Sequence, residues 1–412
     1  MVLDSLQICQ WHPPEVSVFS CSMDPYMLAF ALLIIRLPAE GDASQISCYN
    51  DKGDTVDWFY LYKLPHHKSR IEGLQYLLLE KRSEGWVDGR GPVNDSTGAL
   101  ARTMGPLYEA DEIGYILYND QAPHTGKPTE GDGESNEDGH TKGVVLFDKE
   151  RGFWLVHSTP HFPPSKAKGQ FSYPSTGVIN GQNFLCVSYP LERFQTIGEQ
   201  LQINQPHVYD CHVPPALASS VPSLVSLCGQ GVNVSATDVS STAANRSVTL
   251  TSLGGSQFIS FAKGASFKND LYHAWVAPTL QSNLLVQFWQ RSRGILKSDC
   301  TLGWTVLDIA QLAPGQRFTY KATHDHSKWA VSPGPDTSSG AAVAAAESGR
   351  SGGWVCVGDI NRDEAEELRG GGTVCLQDPV VWKAYRTAAL QCLSCKGDIS
   401  ECDTALRGAG WQ

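Results

Sequence analysis

Between residues 45 and 395, apolar positions come in short runs rich in Val, Trp, Tyr and Phe, divided by polar and Gly-rich segments. The runs at Val56–Leu64, Gly114–Tyr118, Gly143–Phe147, Phe153–Val156, Val248–Thr251, Phe258–Phe261 and Trp354–Val357 predict strands, because β-branched and aromatic side chains fit a pleated, half-buried surface. Stretches around Tyr272–Ala277, Leu284–Arg293 and Val381–Leu390 predict helices. An α/β or α+β body follows. Two inserts punctuate it, the acidic Asp120–Gly139 and the Ala/Ser/Gly-rich Asp336–Gly353, and both are expected as loops.

One pattern occurs twice. His140-Thr141-Lys142 leads into the apolar Val144–Phe147 and then Gly152-Phe153-Trp154. His326-Ser327-Lys328 leads into Trp329 and Val331, then Gly353-Trp354. The two triplets lie 186 residues apart, close to half the body. A duplicated domain follows, with its boundary in the Ser/Thr/Gly-rich stretch Gly229–Asn245. The expected layout is a leader and signal peptide over residues 1–44, an N-terminal half over 45–235, a C-terminal half over 236–396 and a tail over 397–412.

The leader assignment rests on Met27–Leu37, a run with the length of a signal-peptide core and too short to span a bilayer. No long apolar run follows it, so no transmembrane anchor is expected in the mature chain. Sequons at Asn94, Asn233 and Asn245 predict glycosylation. Of 12 Cys, ten fall after the leader, which fits a disulfide framework in an oxidising lumen better than a zinc or redox site at Cys392-x-x-Cys395. With 41% hydrophobic and 18% charged residues the chain is excluded from the disordered class. The formal charge of −11 disfavours a nucleic-acid partner at neutral pH, but protonating the 12 His on acidification cancels it.

A lone His-x-Lys means little, and a third one, His66-His67-Lys68, lacks the strand that follows the other two. At a strand edge, however, the period of two puts His and Lys on one face. The His then supplies a nucleophile or proton donor, and the Lys a cation for a phosphate oxygen. Two such pairs meeting would flank one phosphodiester: one His attacks phosphorus and forms a phosphohistidine, and the other protonates the leaving oxygen. No metal is required in this scheme, and no cofactor is expected.

Cys48-Tyr49-Asn50, Val56-Asp57-Trp58-Phe59, Tyr62-Lys63-Leu64-Pro65, Leu117-Tyr118-Asn119-Asp120, both His-x-Lys triplets, Gly152–Ser158, Ser260-Phe261-Ala262-Lys263, Val357-Gly358-Asp359, Asn361-Arg362 and Gly370–Thr373 together resemble the deoxyribonuclease II family. Pro206–Cys211 resembles its beta branch more than its alpha branch. The resemblance implies a phospholipase-D-like pseudo-dimer of two mixed sheet-and-helix halves. It implies an acid, divalent-metal-independent endonuclease of lysosomes that cleaves double-stranded DNA to 3′-phosphate ends. Catalytic roles fall on His326, His140, Lys142 and Lys328, with His157, Asn361 and Asn119 in support. By analogy the disulfides are Cys48–Cys186, Cys300–Cys375 and Cys211–Cys228. Where the family pattern has a Cys after His-Ser-Lys-Trp, this chain has Ala330, leaving Cys356 free or paired with Cys392, Cys395 or Cys402. The competing readings are a weakened or inactive lumenal member and a phosphodiesterase or phospholipase acting on lipid.

Overall fold

The computed structural model describes residues 45–67, 72–123, 138–229, 244–301, 303–334 and 352–408. The leader, Asn233, most of both inserts and the expected half-to-half boundary lie outside them. Two large sheets carry the fold. In the first, β1 (Trp58–Lys63), β2 (Gly114–Asn119), β3 (Lys142–Phe147), β4 (Arg151–His157) and β5 (Gln182–Pro190) lie in the order β2-β3-β4-β5-β1. In the second, β6 (Gln257–Lys263), β7 (Leu284–Gln287), β8 (Lys328–Val331), β9 (Trp354–Gly358) and β10 (Gly371–Gln377) lie in the order β7-β8-β9-β10-β6. Each set of five is antiparallel throughout, and each repeats the order second, third, fourth, fifth, first. Further strands extend both sheets.

A helix also follows the first strand of each set, α1 (Ala99–Glu109) in one and Tyr272–Val276 continued by Ala277–Leu280 in the other. After the fifth strand come α2 (Arg193–Asn204) and α3 (Pro379–Arg386) respectively. The strands are buried on both faces, so they read as near-continuous apolar runs. One core unites inner-face residues of both sheets, including Tyr60, Tyr62, Trp154, Leu285, Trp329 and Val357, with residues of α2 and α3. Two others back the outer faces, one against α1 and one against the Tyr272–Leu280 helices.

All seven expected strands are present, and helices form at Tyr272–Val276 and Pro379–Arg386. Leu284–Arg293 is a correction: Leu284–Gln287 is β7, parallel to Val306–Leu312 and antiparallel to β8. Leu285 faces the central core while Leu284 and Val286 face an outer one; a strand covered on both sides shows the same apolar run as a short buried helix. Val381–Leu390 is half corrected, since the helix ends at Arg386 and Ala389–Leu393 is a strand. The expected tail carries strand Ile399–Glu401 and helix Cys402–Gly408, with Cys402, Ala405 and Leu406 in the central core. Asn94 is exposed and Asn245 half-buried at a strand start.

Cys48–Cys186 and Cys211–Cys228 form as expected. Cys300–Cys375 does not: Cys300 bonds Cys395, Cys375 bonds Cys356, and Cys392 bonds Cys402. The reason is register. Cys356 of β9 stands directly opposite Cys375 of β10, with Cα atoms 3.9 Å apart, so the absence of a Cys at position 330 leaves Cys356 with a partner on its other flank.

Candidate active site

Lys142 opens β3 and Lys328 opens β8, each with its histidine two residues earlier. The main chain ties each triplet to the other sheet. His140 N–H donates to the Gly370 carbonyl (2.9 Å), and His326 N–H donates to the Gly181 carbonyl (2.8 Å). Lys142 N–H donates to Asp359 Oδ2 (3.4 Å) and Lys328 N–H to Asn183 Oδ1 (2.8 Å). The two triplets therefore face one another across the junction of the sheets.

Around the first triplet the charges are mostly negative. His140 is buried, with Glu366 Oε1 3.0 Å from Nδ1 and Asp120 Oδ2 3.6 Å from Nε2. Asp120 also pairs with Lys142 Nζ and, at 3.2 Å, with Arg369 Nη2. Burial pushes Asp120 upward, but His140, Lys142 and Arg369 outweigh it and hold its carboxyl below the usual range. Glu366 is held down against burial in the same way by His140 and Arg369. Asp359 lacks such pairing, and burial raises it to about 7 despite the Gly372 N–H and Lys142.

The groups touching the second imidazole are basic or neutral. His326 is half-buried, and its Nδ1 lies 2.8 Å from the Ser158 carbonyl and 3.4 Å from Gln182 Oε1. A carbonyl only accepts, so Nδ1 carries the proton and Nε2 keeps a lone pair. Lys328 Nζ sits 3.1 Å from Nδ1 and 3.3 Å from Nε2. Desolvation, then Lys328, Lys142 and His140, push His326 well below the usual histidine range. Desolvation and Lys142 likewise pull Lys328 down, against Glu366, Asp120 and Asp359. Charges of one half-site thus act on the other. Trp289, following β7, packs edge-on to His326 at 5.1 Å, and Arg291 covers its ring at 5.2 Å. Arg291 is exposed at this rim.

The supporting residues divide. Asn361 spans both half-sites, Nδ2 3.5 Å from His140 Nδ1 and Oδ1 accepting from Trp289 N–H at 3.2 Å. Asn119 latches the neighbouring loop through the Thr159 and Phe162 carbonyls at 3.1 and 3.0 Å. His157 is fully buried between Phe162 and Phe184, with Nδ1 accepting from Thr159 N–H at 3.2 Å; burial and then Lys142 lower its pKa. His67 of the third triplet lies against Phe318 instead, and Lys68 is outside the described residues. Sequence reasoning missed Asp120, Glu366, Arg369, Gln182, Asn183 and Trp289 as site residues. Asp120 closed a resembling segment, but Glu366 and Arg369 sit in the run Asp363–Arg369, which reads as a solvated charged turn. Among the described residues no three His, Cys, Asp or Glu side chains are grouped to hold a metal ion, and no helix is long and apolar enough to cross a membrane.

Deoxyribonuclease II is the family whose model matches, over residues 47–395. Mouse deoxyribonuclease-2-alpha is 43% identical over 362 residues, covering 86% of this chain and 94% of the relative. Human deoxyribonuclease-2-beta is 34% identical, covering 89% and 97%; plancitoxin-1 of Acanthaster planci is also 34% identical, covering 86% and 94%. The chain belongs to the deoxyribonuclease II family. The beta likeness read at Pro206–Cys211 is local: over the full length this chain shares more with the alpha relative than with the beta one.

Proposed function

We propose that this chain is an endonuclease that hydrolyses DNA phosphodiesters at acid pH without a divalent metal, leaves 3′-phosphate ends, and serves DNA degradation in lysosomes. The family and the names of its relatives support the substrate. The exposed Arg291, stacked on the Trp289 ring that packs against His326, offers phosphates a cationic approach in a chain that is otherwise acidic. The repeated strand order supports a phospholipase-D-like pseudo-dimer, with residues 45–235 and 236–396 as its halves.

The observation that carries the mechanism is the difference in the groups that contact the two imidazoles. His326 donates from Nδ1 to the Ser158 carbonyl, so the lone pair that attacks phosphorus is on Nε2, 3.3 Å from Lys328 Nζ. His140 has a carboxylate oxygen facing each ring nitrogen, the setting of a proton donor. In the first step Nε2 of His326 bonds to phosphorus, the P–O5′ bond breaks, and His140 gives its proton to O5′. In the second, water gives a proton to His140 and attacks phosphorus, the N–P bond breaks, and the 3′-phosphate leaves. Lys142 and Lys328 face the non-bridging oxygens. An arriving phosphate supplies the negative charge that burial and Lys142 deny Lys328, so binding substrate itself favours its ammonium form. Plasmid incubated with purified protein at acid pH in chelator should be nicked with 3′-phosphate ends. Intact plasmid under those conditions, or cleavage only with added metal, contradicts the proposal.

A further inference from the structure

Two segments of the family resemblance carry lysines without a role, Lys63 and Lys263. They occupy equivalent places, at the last residue of β1 and of β6, the first strand of each set. Both are buried, at 0% and 1% exposure. Burying an ammonium is costly unless its donors are used, and here they are spent on main-chain carbonyls of a single loop. Lys63 Nζ donates to the Val178 carbonyl at 2.8 Å and to that of Asn180. Lys263 Nζ donates to the carbonyls of Glu366 (2.8 Å), Glu367 (3.2 Å) and Arg369 (2.6 Å).

The next residue in each loop is the glycine whose carbonyl holds a histidine N–H: Gly181 for His326 and Gly370 for His140. Register confirms the equivalence, since Lys63 pairs with Gln182 and Lys263 with Gly371, each one residue beyond the glycine. The glycines are fixed by contact as well. A Cβ on Gly181 would meet the Asp325 carboxylate at 2.2 Å, and one on Gly370 the Asn204 carbonyl at 2.0 Å. The Lys263 loop further carries Glu366 and Arg369, whose side chains face His140 and Asp120.

We propose that Lys63 and Lys263 are paired positioning residues, Lys63 holding the loop that places the nucleophile His326 and Lys263 the loop that places the acid His140. Each acts on the histidine of the opposite half. Desolvation draws Lys63 to about 7 against Asp325, and Lys263 to about 8 against Glu366, Asp270 and Glu367, so both remain ammonium donors at acid pH.

The proposal rests on the two-histidine reading, and leaving-group dependence tests the two separately. Thymidine 3′-(4-nitrophenyl phosphate) releases nitrophenolate, which departs without a proton, whereas DNA needs the acid. Lys63→Met should lower both plasmid nicking and the first-turnover nitrophenolate burst by about 100-fold, the scale of a small misplacement of a reacting group. Lys263→Met should lower nicking to the same extent while leaving the burst within about threefold. Any other pattern overturns the proposal. Where a methionine chain does not fold, Lys63→Gln and Lys263→Gln, which keep two of the three N–H donors but lose the charge, carry the same comparison. His326→Ala and His140→Ala, run alongside, report on the underlying reading: the first should lose both signals and the second only nicking. If they fail to do so, that reading falls; if they comply and the lysine variants do not, only the positioning roles fall.

Discussion

The two His-x-Lys triplets start equivalent strands and are held by equivalent backbone bonds, to Gly370 and Gly181, yet the groups that touch their imidazoles differ in charge. His140 lies between Asp120 and Glu366, while His326 meets a carbonyl, an amide and the Lys328 ammonium. Exposure differs too: His140 is buried and His326 partly open. The repeated strand order explains why the two imidazoles occupy equivalent places, and the neighbours explain why they need not do the same thing. A carboxylate oxygen faces each nitrogen of His140, whereas the carbonyl acceptor at Nδ1 of His326 leaves that ring's lone pair on Nε2.

The sharpest way to break this comparison is to remove each imidazole in turn. His326→Ala should abolish the phosphoryl-enzyme and reduce plasmid nicking by more than about 1,000-fold, because no group replaces the nucleophile. His140→Ala should cost about 100- to 10,000-fold on DNA, the range for a lost general acid, with gel-scored nicking as the readout. Equal behaviour of the two variants on a nitrophenyl ester would erase the distinction. Lys142→Ala and Lys328→Ala should each cost about 3 to 4 kcal/mol in the barrier, as for one oxyanion donor, read from kcat/KM.

Smaller effects test the electrostatics. Asp359 titrates at about 7 when folded, above its unfolded value. A raised carboxyl contributes stability in full below the unfolded pKa and loses it as pH rises through about 7. Asp359→Asn should therefore gain stability relative to wild type between acid and neutral pH, which denaturant melts at the two pH values measure; a constant difference counts against it. Cys356→Ser, opening a disulfide with sequence separation 19, should cost about 3 kcal/mol of stability. Peptide mapping should recover Cys356 joined to Cys375 and not Cys300.

Much of this was legible in the sequence. Val, Trp, Tyr and Phe runs located the strands, because sheets buried on both faces demand apolar residues throughout. The repeat located both triplets. Leu284–Gln287 was not legible, since a short run covered on both sides carries no period to separate strand from helix. Disulfide partners depend on which strands are neighbours, and the β9–β10 register that joins Cys356 to Cys375 is absent from local pattern. The carboxylates were hidden for a like reason: Glu366 reaches His140 across 226 residues through a loop whose composition resembles an exposed turn.

The most direct measurement is a rapid-quench reaction of the protein with thymidine 3′-(4-nitrophenyl phosphate) in chelator, followed by mass-spectrometric localisation of the adduct. A thymidine 3′-phosphoryl group on His326, with His140 unmodified, is expected. An adduct on His140, or a full nitrophenolate burst with His326 unmodified, would contradict the assignment of nucleophile and acid.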